Sequence, residues 1–287
     1  MSSQENTLRK FKGAVAVVTG GASGIGKSMS KELARRGCEV ILADRQEELA
    51  QKVAQEIQAE GGLAVVSELD VRDHMSFDAL LQQTKERTGR LDYVFNNAGI
   101  AVGGDATQMT VEQWHDIIDV NIKGVSNGTH AALKIMKAQG YGHIVNTASM
   151  AGLGPVALLA AYSMTKHAVV GLSTSLRAEL HGTGINVSVL CPGFIRTPIL
   201  EGGKYGSLVG SIDKETVKKL TQPKWAAYDA DKFAKSVVTQ IGRNRALIIV
   251  PRRWVGVWLS SRLSMAWALF VSRKMGAQAR KKMSGKE

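Results

Sequence analysis

One stretch, Ser149 to Lys166 (SMAGLGPVALLAAYSMTK), holds three side chains whose types and spacing suit proton transfer at an alcohol or a carbonyl. Tyr162 and Lys166 lie four apart in helix-compatible sequence, so both project from one face. A free phenol titrates near ~10 and is a poor acid or base at neutrality; a neighbouring ammonium favours phenolate and draws that value toward the working range. Ser149 then holds the substrate oxygen while Tyr162 moves its proton. An ordinary amphipathic Tyr/Lys pair has the same spacing, so the elements that position these residues must decide between the two.

Before Ser149, the apolar run HIVNTA reads as a buried parallel strand that delivers the serine to its carboxyl end, where open α/β sheets keep their ligand crevices. The chain opens in the same manner. Ala14 to Thr19 (AVAVVT) predicts a strand ending in GGASGIG and leading into the helical pattern KSMSKELARRG. Glycines there let a backbone approach a pyrophosphate, and a helix N-terminus offers free N–H groups and a positive dipole end. The spacing of Gly20, Gly24 and Gly26 is TGxxxGxG rather than GxGxxG, and a plain glycine-rich loop fits it as well.

A second strand, EVILADR, ends in Asp44. A carboxylate there accepts hydrogen bonds from ribose hydroxyls and repels a 2′-phosphate, favouring NAD over NADP; the adjacent Arg45 works against that repulsion. Asp44 as an N-cap for the following helix is compatible with both. LAVVSELDV is a third strand with Asp70 and Val71 at its carboxyl end, over the place an adenine would occupy. LDYVFNNAG is a fourth, and Asn96, Asn97, Ala98 and Gly99 suit either a turn or a close backbone approach to a flat cofactor. From Thr110 onward two helical segments meet near Asn121, a buried amide that serves as a structural kink or as the holder of a catalytic water. INVSVLCPG is a sixth strand ending in Pro192 and Gly193, FIRTPILEGGKYGSLVGSIDKETVKKLTQPKWA is irregular and lies where a mobile cover is expected, and ALIIV is the last strand. Strands alternating with helices predict an α/β fold: a single-domain, Rossmann-type doubly wound parallel sheet with helices on both faces.

Composition is consistent with one large globular unit: 287 residues, 44% hydrophobic and 22% charged, with only five prolines. The first residues lack the apolar run of a secretory signal, and Cys38 and Cys191 show no metal-ligand spacing, so reduced thiols, no bound metal and a cytoplasmic location are expected. Charge is uneven. Nine basic residues against Glu287 put +8 of the net +12 beyond Pro251, leaving +4 on the body. A nucleic-acid-binding body would not carry its charge this way. The expected division is therefore residues 1–251 as the dinucleotide-binding and catalytic unit and 252–287 as a basic, Trp-rich extension.

In this order and at these separations, TGGASGIG, the acidic end of the second strand, LDV, NNAG, VN at 120–121, Ser149, YSMTK and PGFIRT resemble the classical short-chain dehydrogenases/reductases over about residues 12 to 251. The resemblance implies a hydride-transferring oxidoreductase with catalytic residues Asn121, Ser149, Tyr162 and Lys166. The tyrosine is then the proton donor or acceptor, the serine positions the substrate oxygen, the lysine lowers the tyrosine pKa and bonds the nicotinamide ribose, and the asparagine supports a water relay. It also implies cofactor contacts from Gly20, Ser23, Gly24, Ile25, Gly26, Asp44, Arg45, Asp70, Val71, Asn97, Ala98, Gly99, Tyr162, Lys166, Pro192, Gly193, Ile195 and Thr197. The family gives His143 and His167 no role, so both are expected to be structural. A homodimer or homotetramer is implied through the helices matching Asn121 to Gln139 and Ala160 to His181.

The family leaves the substrate open. Met150, Leu153, Pro155, Leu159, Phe194, Leu200 and Tyr205, together with Val102, Leu158 and Leu208, are expected to line an apolar pocket. That favours a bulky hydrophobic secondary alcohol or its ketone, steroid-like, terpenoid or long-chain. The alternative is an NADPH-dependent 3-oxoacyl-(carrier protein)-type ketoreductase. Three of the five tryptophans and a seven-residue apolar run from Met265 to Val271 lie in the basic extension. Arg262 breaks it short of the ~20 apolar residues that a membrane span needs, which leaves a helix packed on the crevice or on a subunit, or one lying on a membrane surface.

Overall fold

The computed structural model describes residues 7–200, 205–209 and 228–283. Each predicted strand is present, and all seven pair in parallel: β1 (Val15–Thr19), β2 (Glu39–Asp44), β3 (Leu63–Glu68), β4 (Tyr93–Asn96), β6 (Gly142–Thr147), β7 (Ile185–Pro192) and β9 (Leu247–Val250), in the order β3-β2-β1-β4-β6-β7-β9. Whereas the edge strand β3 leaves Leu63 and Val65 exposed, the central runs are largely apolar because helices cover both faces of the sheet. Alternation along β1 shows it. Ala16 and Val18 enter a core with Leu33 of α1 (Gly24–Arg35), Ile57 of α2 (Glu47–Ala59) and Val237 of α7 (Ala230–Ile241). Val15 and Val17 enter the opposite core with Phe77 and Leu81 of α3 (His74–Thr88) and Met136 of α5 (Gly124–Gln139). The fold is the expected α/β doubly wound sheet, and its strand order reverses between β1 and β4, where such sheets hold ligands.

Two local features differ from the sequence reading. The two helical segments expected to meet near Asn121 form one continuous run: α4 (Val111–Ile118) passes through a π-helical turn, Asp119–Lys123, directly into α5. A π-turn widens the helix without breaking it, so a buried amide needs no kink to be accommodated. Within the stretch expected to be irregular, Gly206–Leu208 (β8) pairs in parallel with a short strand after β4, Ala101–Gly103 (β5). The rest of that expected cover, 201–204 and 210–227, lies outside the described residues. Beyond β9 the chain continues as two helices, α8 (Arg253–Leu263) and α9 (Met265–Met283).

Candidate active site

The carboxyl ends of β1, β2, β4, β6 and β7 open onto a cavity of about 1150 Å³. Its cofactor side is built by turns that hydrogen-bond to one another. Gly20 sits at φ +64°, and a Cβ there would come 3.0 Å from the Ala98 Cα, so the turn after β1 and the turn after β4 close on each other only with glycine at this position. Thr19 locks the second turn: its Oγ1 accepts from the Asn97 and Ala98 N–H groups at 2.9 and 3.0 Å, while Asn97 Nδ2 donates to the Thr19 carbonyl at 3.0 Å. Sequence reasoning passed over Thr19, whose signal was its place as the last residue of a buried strand.

Asp44 is buried at the end of β2. Its Oδ2 accepts from Ala22 N and its Oδ1 from Gln46 N, both at 3.0 Å, so one carboxylate joins the glycine turn to the second strand. It does not cap α2, whose N-cap is Gln46. Asp70 pairs with Arg72, and this pairing holds its carboxyl below the usual range. The Val71 carbonyl accepts from Asn127 Nδ2 at 2.9 Å.

Most of the residues assigned to a cofactor line the cavity: Gly20, Ser23, Gly24, Ile25, Asp44 and Arg45, then Asp70, Val71, Asn97, Ala98 and Gly99, then Pro192, Gly193, Ile195 and Thr197. Gly26 does not; it lies behind the turn, where a Cβ would run into the Gly20 carbonyl and come 2.7 Å from Asn97 Nδ2. A dinucleotide fits this half. Ser23 begins α1 without a side-chain cap, so the first-turn N–H groups are not taken by it; a buried carboxylate borders the cavity one strand over, and the intervening wall is glycine and backbone. These residues would hold a nicotinamide dinucleotide, which supplies hydride acceptance or donation when bound.

On the other side, β6 leads to Ser149, which is extended (φ −169°) and accepts from Ala151 N at 3.2 Å. Tyr162 and Lys166 share a face of α6 (Ala160–Glu179), as their spacing requires, and Ser149, Tyr162 and Lys166 all line the cavity. Lys166 Nζ donates to the Thr147 carbonyl at 2.9 Å and lies 5.6 Å from the centre of the Tyr162 ring. Electrostatics here run opposite to the simple expectation for the phenol. Burial pushes Tyr162 up to about 12, and a side-chain hydrogen bond with Ser149 only partly opposes it. Burial also brings Lys166 down to about 8, which weakens the ammonium that was to stabilise a phenolate. Desolvation thus raises the phenol and lowers the ammonium, and without a bound cofactor the pair does not bring Tyr162 into the working range.

Asn121 stands behind this set rather than in the cavity wall. It is fully buried in the π-turn: Oδ1 accepts from Ile100 N at 2.9 Å, while Nδ2 donates to Ile100 O at 2.9 Å and to Thr165 Oγ1 at 3.1 Å. A Cβ at Gly99 would come 3.1 Å from Asn121 Oδ1 and 3.4 Å from Lys166 Nζ, so the asparagine and the lysine converge on Gly99. His143 is buried and hydrogen-bonded to Ser188 Oγ at 2.8 Å, and burial brings it down to about 3. His167 Nδ1 lies 2.8 Å from the Ser163 carbonyl.

Met150, Leu153, Pro155, Leu158, Leu159, Phe194 and Tyr205 all line the cavity. Val102 does not; it packs in a small core with Ile117 and Ala161. Leu200 ends a 3-10 turn and Leu208 ends β8, and their side chains lie outside the described residues. Particular lining residues that the sequence reading did not name come from beyond β9: Trp254 and Val257 of α8, and Trp267, Val271 and Met275 of α9. The Trp254 ring lies against Gly193 and 5.6 Å from the Phe194 ring. Ser272 Oγ accepts from Ala157 N at 2.9 Å, tying α9 to the loop before α6.

Comparison with known proteins agrees with this geometry. A family model described as short chain dehydrogenase matches residues 14–204. A putative ketoacyl reductase of a monensin polyketide synthase from Streptomyces virginiae is 40% identical over 194 residues, covering 67% of this chain and 74% of that protein. A cyclohexanol dehydrogenase from Acinetobacter sp. strain SE19 is 38% identical over 192 residues, covering 67% and 76%. Among solved structures, a short chain dehydrogenase/reductase from Burkholderia phymatum in complex with NAD superposes with a TM-score of 0.79 at 28% identity, over 87% of this chain and 93% of that one. The sheet, the crevice at its switch point and these likenesses lead to one conclusion: the chain belongs to the short chain dehydrogenase family and is an oxidoreductase.

Proposed function

We propose that the chain interconverts a bulky hydrophobic secondary alcohol and its ketone, with NAD as the preferred cofactor. The observation that carries this reading is the composition of the cavity beyond Ser149 and Tyr162. Leu153, Pro155, Phe194, Trp254, Val271 and Met275 form an apolar enclosure and, among the described residues, no cluster of cationic or acidic side chains stands beside them to hold a strongly charged substrate. In this reading Ser149 holds the reacting oxygen, Tyr162 transfers the proton, Lys166 orients the ribose from its seat on Thr147 O, and Asn121 fixes the backbone around Ile100.

The preference for NAD rests on Asp44, which is held in place by two backbone N–H groups at the end of β2. Arg45 lines the same cavity, and a relative named as a putative ketoacyl reductase is 40% identical. Both favour the second reading, an NADPH-dependent ketoreductase acting on carrier-bound 3-oxoacyl chains. Two buried free thiols, Cys38 and Cys191, each pushed up to about 12 by burial, suit a reducing cytoplasmic compartment. A homodimer or homotetramer through α5 and α6 follows the family's habit.

Initial rates with NAD and NADP separately, on secondary alcohols from cyclohexanol to a hydroxysteroid and a long-chain 2-alkanol, test the proposal. Rates that rise with apolar bulk and require NAD support it; turnover only with the phosphorylated cofactor moves the ketoreductase to first place. Tyr162→Phe should lower kcat by about 10²–10⁴-fold, and undiminished turnover in that variant would remove the tyrosine from the chemistry.

A further inference from the structure

We propose that the turn between α8 and α9 docks on an anionic lipid surface, with apolar side chains entering the interface and basic ones meeting the headgroups. Positions 232–286 contain thirteen Lys and Arg residues and no Asp or Glu. The turn displays the largest outward apolar side chains of this region: Leu263 is 89% exposed, Met265 63%, Phe270 54% and Leu259 49%. Cations stand beside them, the Arg262 guanidinium 5.6 Å from the Trp258 ring centre and Lys274 Nζ 4.7 Å from that of Phe270. Apolar side chains bordered by Trp, Arg and Lys are the pattern of an interfacial helix, and no helix among the described residues is long and apolar enough to cross a membrane.

The two faces of α9 differ in what they meet. Ala268, Val271, Ser272 and Gly276 turn to the cavity and to the loop at Ala157, whereas Leu269, Phe270, Arg273 and Lys274 are exposed. Trp267 and Met275 belong to both, lining the cavity while remaining 43% and 55% exposed. One helix thus separates the apolar interior from the surface that meets lipid, which puts the cavity within reach of substrates dissolved in the membrane. A second copy of the chain is a poorer occupant. A two-fold contact through this face would bring two ends of charge +8 together with no carboxylate in the segment except Glu287 to offset them.

The test is sedimentation of the full chain with extruded vesicles, of phosphatidylcholine alone and of phosphatidylcholine with phosphatidylglycerol, at low and high salt. It is read without turnover and so stands apart from the substrate assignment. The expected result is binding to the anionic vesicles, weakened by salt. The exposed double variant Leu263→Glu with Met265→Glu should weaken it by on the order of tenfold or more. Arg273→Gln with Lys274→Gln should weaken it by roughly tenfold. Neither pair contributes to the cavity wall, and unchanged melting confirms that each variant is folded; if the first unfolds, the second decides. Equal partition into both vesicle types, or full binding by the variants, overturns the proposal. So does a dimer that the Leu263/Met265 variant dissociates, or binding to polyglutamate as tight as to vesicles and unaffected by that variant, which would assign the face to an acidic protein.

Discussion

Asn121 offers the sharpest test of how the site is held. Replacing it with Ala removes the partner of both backbone groups of Ile100, whose N–H and C=O meet the amide at 2.9 Å each. A buried backbone group left unsatisfied costs about 1–3 kcal/mol; both Ile100 groups are part-buried at the cavity wall, so the pair costs up to about 4 kcal/mol. At about 2–4 °C per kcal/mol for a domain approaching this size, Tm should fall by several degrees, up to roughly 16 °C. Asn121→Asp separates the two groups. It keeps an acceptor for Ile100 N but sets a carboxylate oxygen against the Ile100 carbonyl and against Thr165 Oγ1, whose proton already goes to the Tyr162 carbonyl. The buried carboxyl escapes this only by binding a proton, so Asn121→Asp should be more destabilised at pH 8 than at pH 5. The assay is thermal unfolding of both variants across that range. A Tm for Asn121→Ala within 2 °C of the parent, or a pH-independent loss in Asn121→Asp, would refute the view that this amide holds the Ile100 backbone.

Three further outcomes are expected. Burial brings Lys166 from 10.5 down to about 8, so burial of its charge disfavours folding fully below pH 8 and is relieved as pH rises toward 10.5; the stability of Lys166→Met relative to the parent should therefore fall by on the order of 3 kcal/mol between pH 7 and pH 10.5, read by denaturant unfolding, while turnover is lost at both. For His143, lowered from 6.5 to about 3, stability is complete above pH 6.5 and is lost as pH falls toward 3, by on the order of 5 kcal/mol; His143→Gln should unfold at a lower pH than the parent in an acid titration, although it is less stable at neutrality. At Gly276 a Cβ would come 2.6 Å from the Ala157 Cβ, so Gly276→Val should push α9 off the loop and raise KM for a bulky alcohol severalfold while sparing that for cyclohexanol; equal KM changes for both would argue against α9 as a substrate wall.

Much of the framework was legible in the chain because it depends on short-range patterns. A strand covered on both faces is largely apolar, and seven β-rich runs alternating with helices admit few arrangements. Tyr162 and Lys166 sit four apart on one helix, so their common face needed no tertiary knowledge. Asp44, Asn97 and Ser149 each end a buried strand, and in a parallel sheet all such ends lie at one edge. What the chain could not disclose was contact between segments far apart in sequence. Thr19 clamping the turn at Asn97, Asn121 reaching back to Ile100, and Trp254, Val271 and Met275 closing a cavity begun at Ser149 all join residues whose local sequence carries no mark of the partner. The same limit governs charge. Spacing places an ammonium near a phenol, but desolvation lowers the one and raises the other, and only the packed structure shows that Lys166 is buried while Tyr162 faces the cavity. Sequence by itself therefore determined the sheet, the helix face and the residue types at the site; tertiary structure decided that Lys166 is buried against the Thr147 carbonyl, that Asn121 supports rather than lines the cavity, and that the basic extension forms its wall, because burial depends on every segment at once.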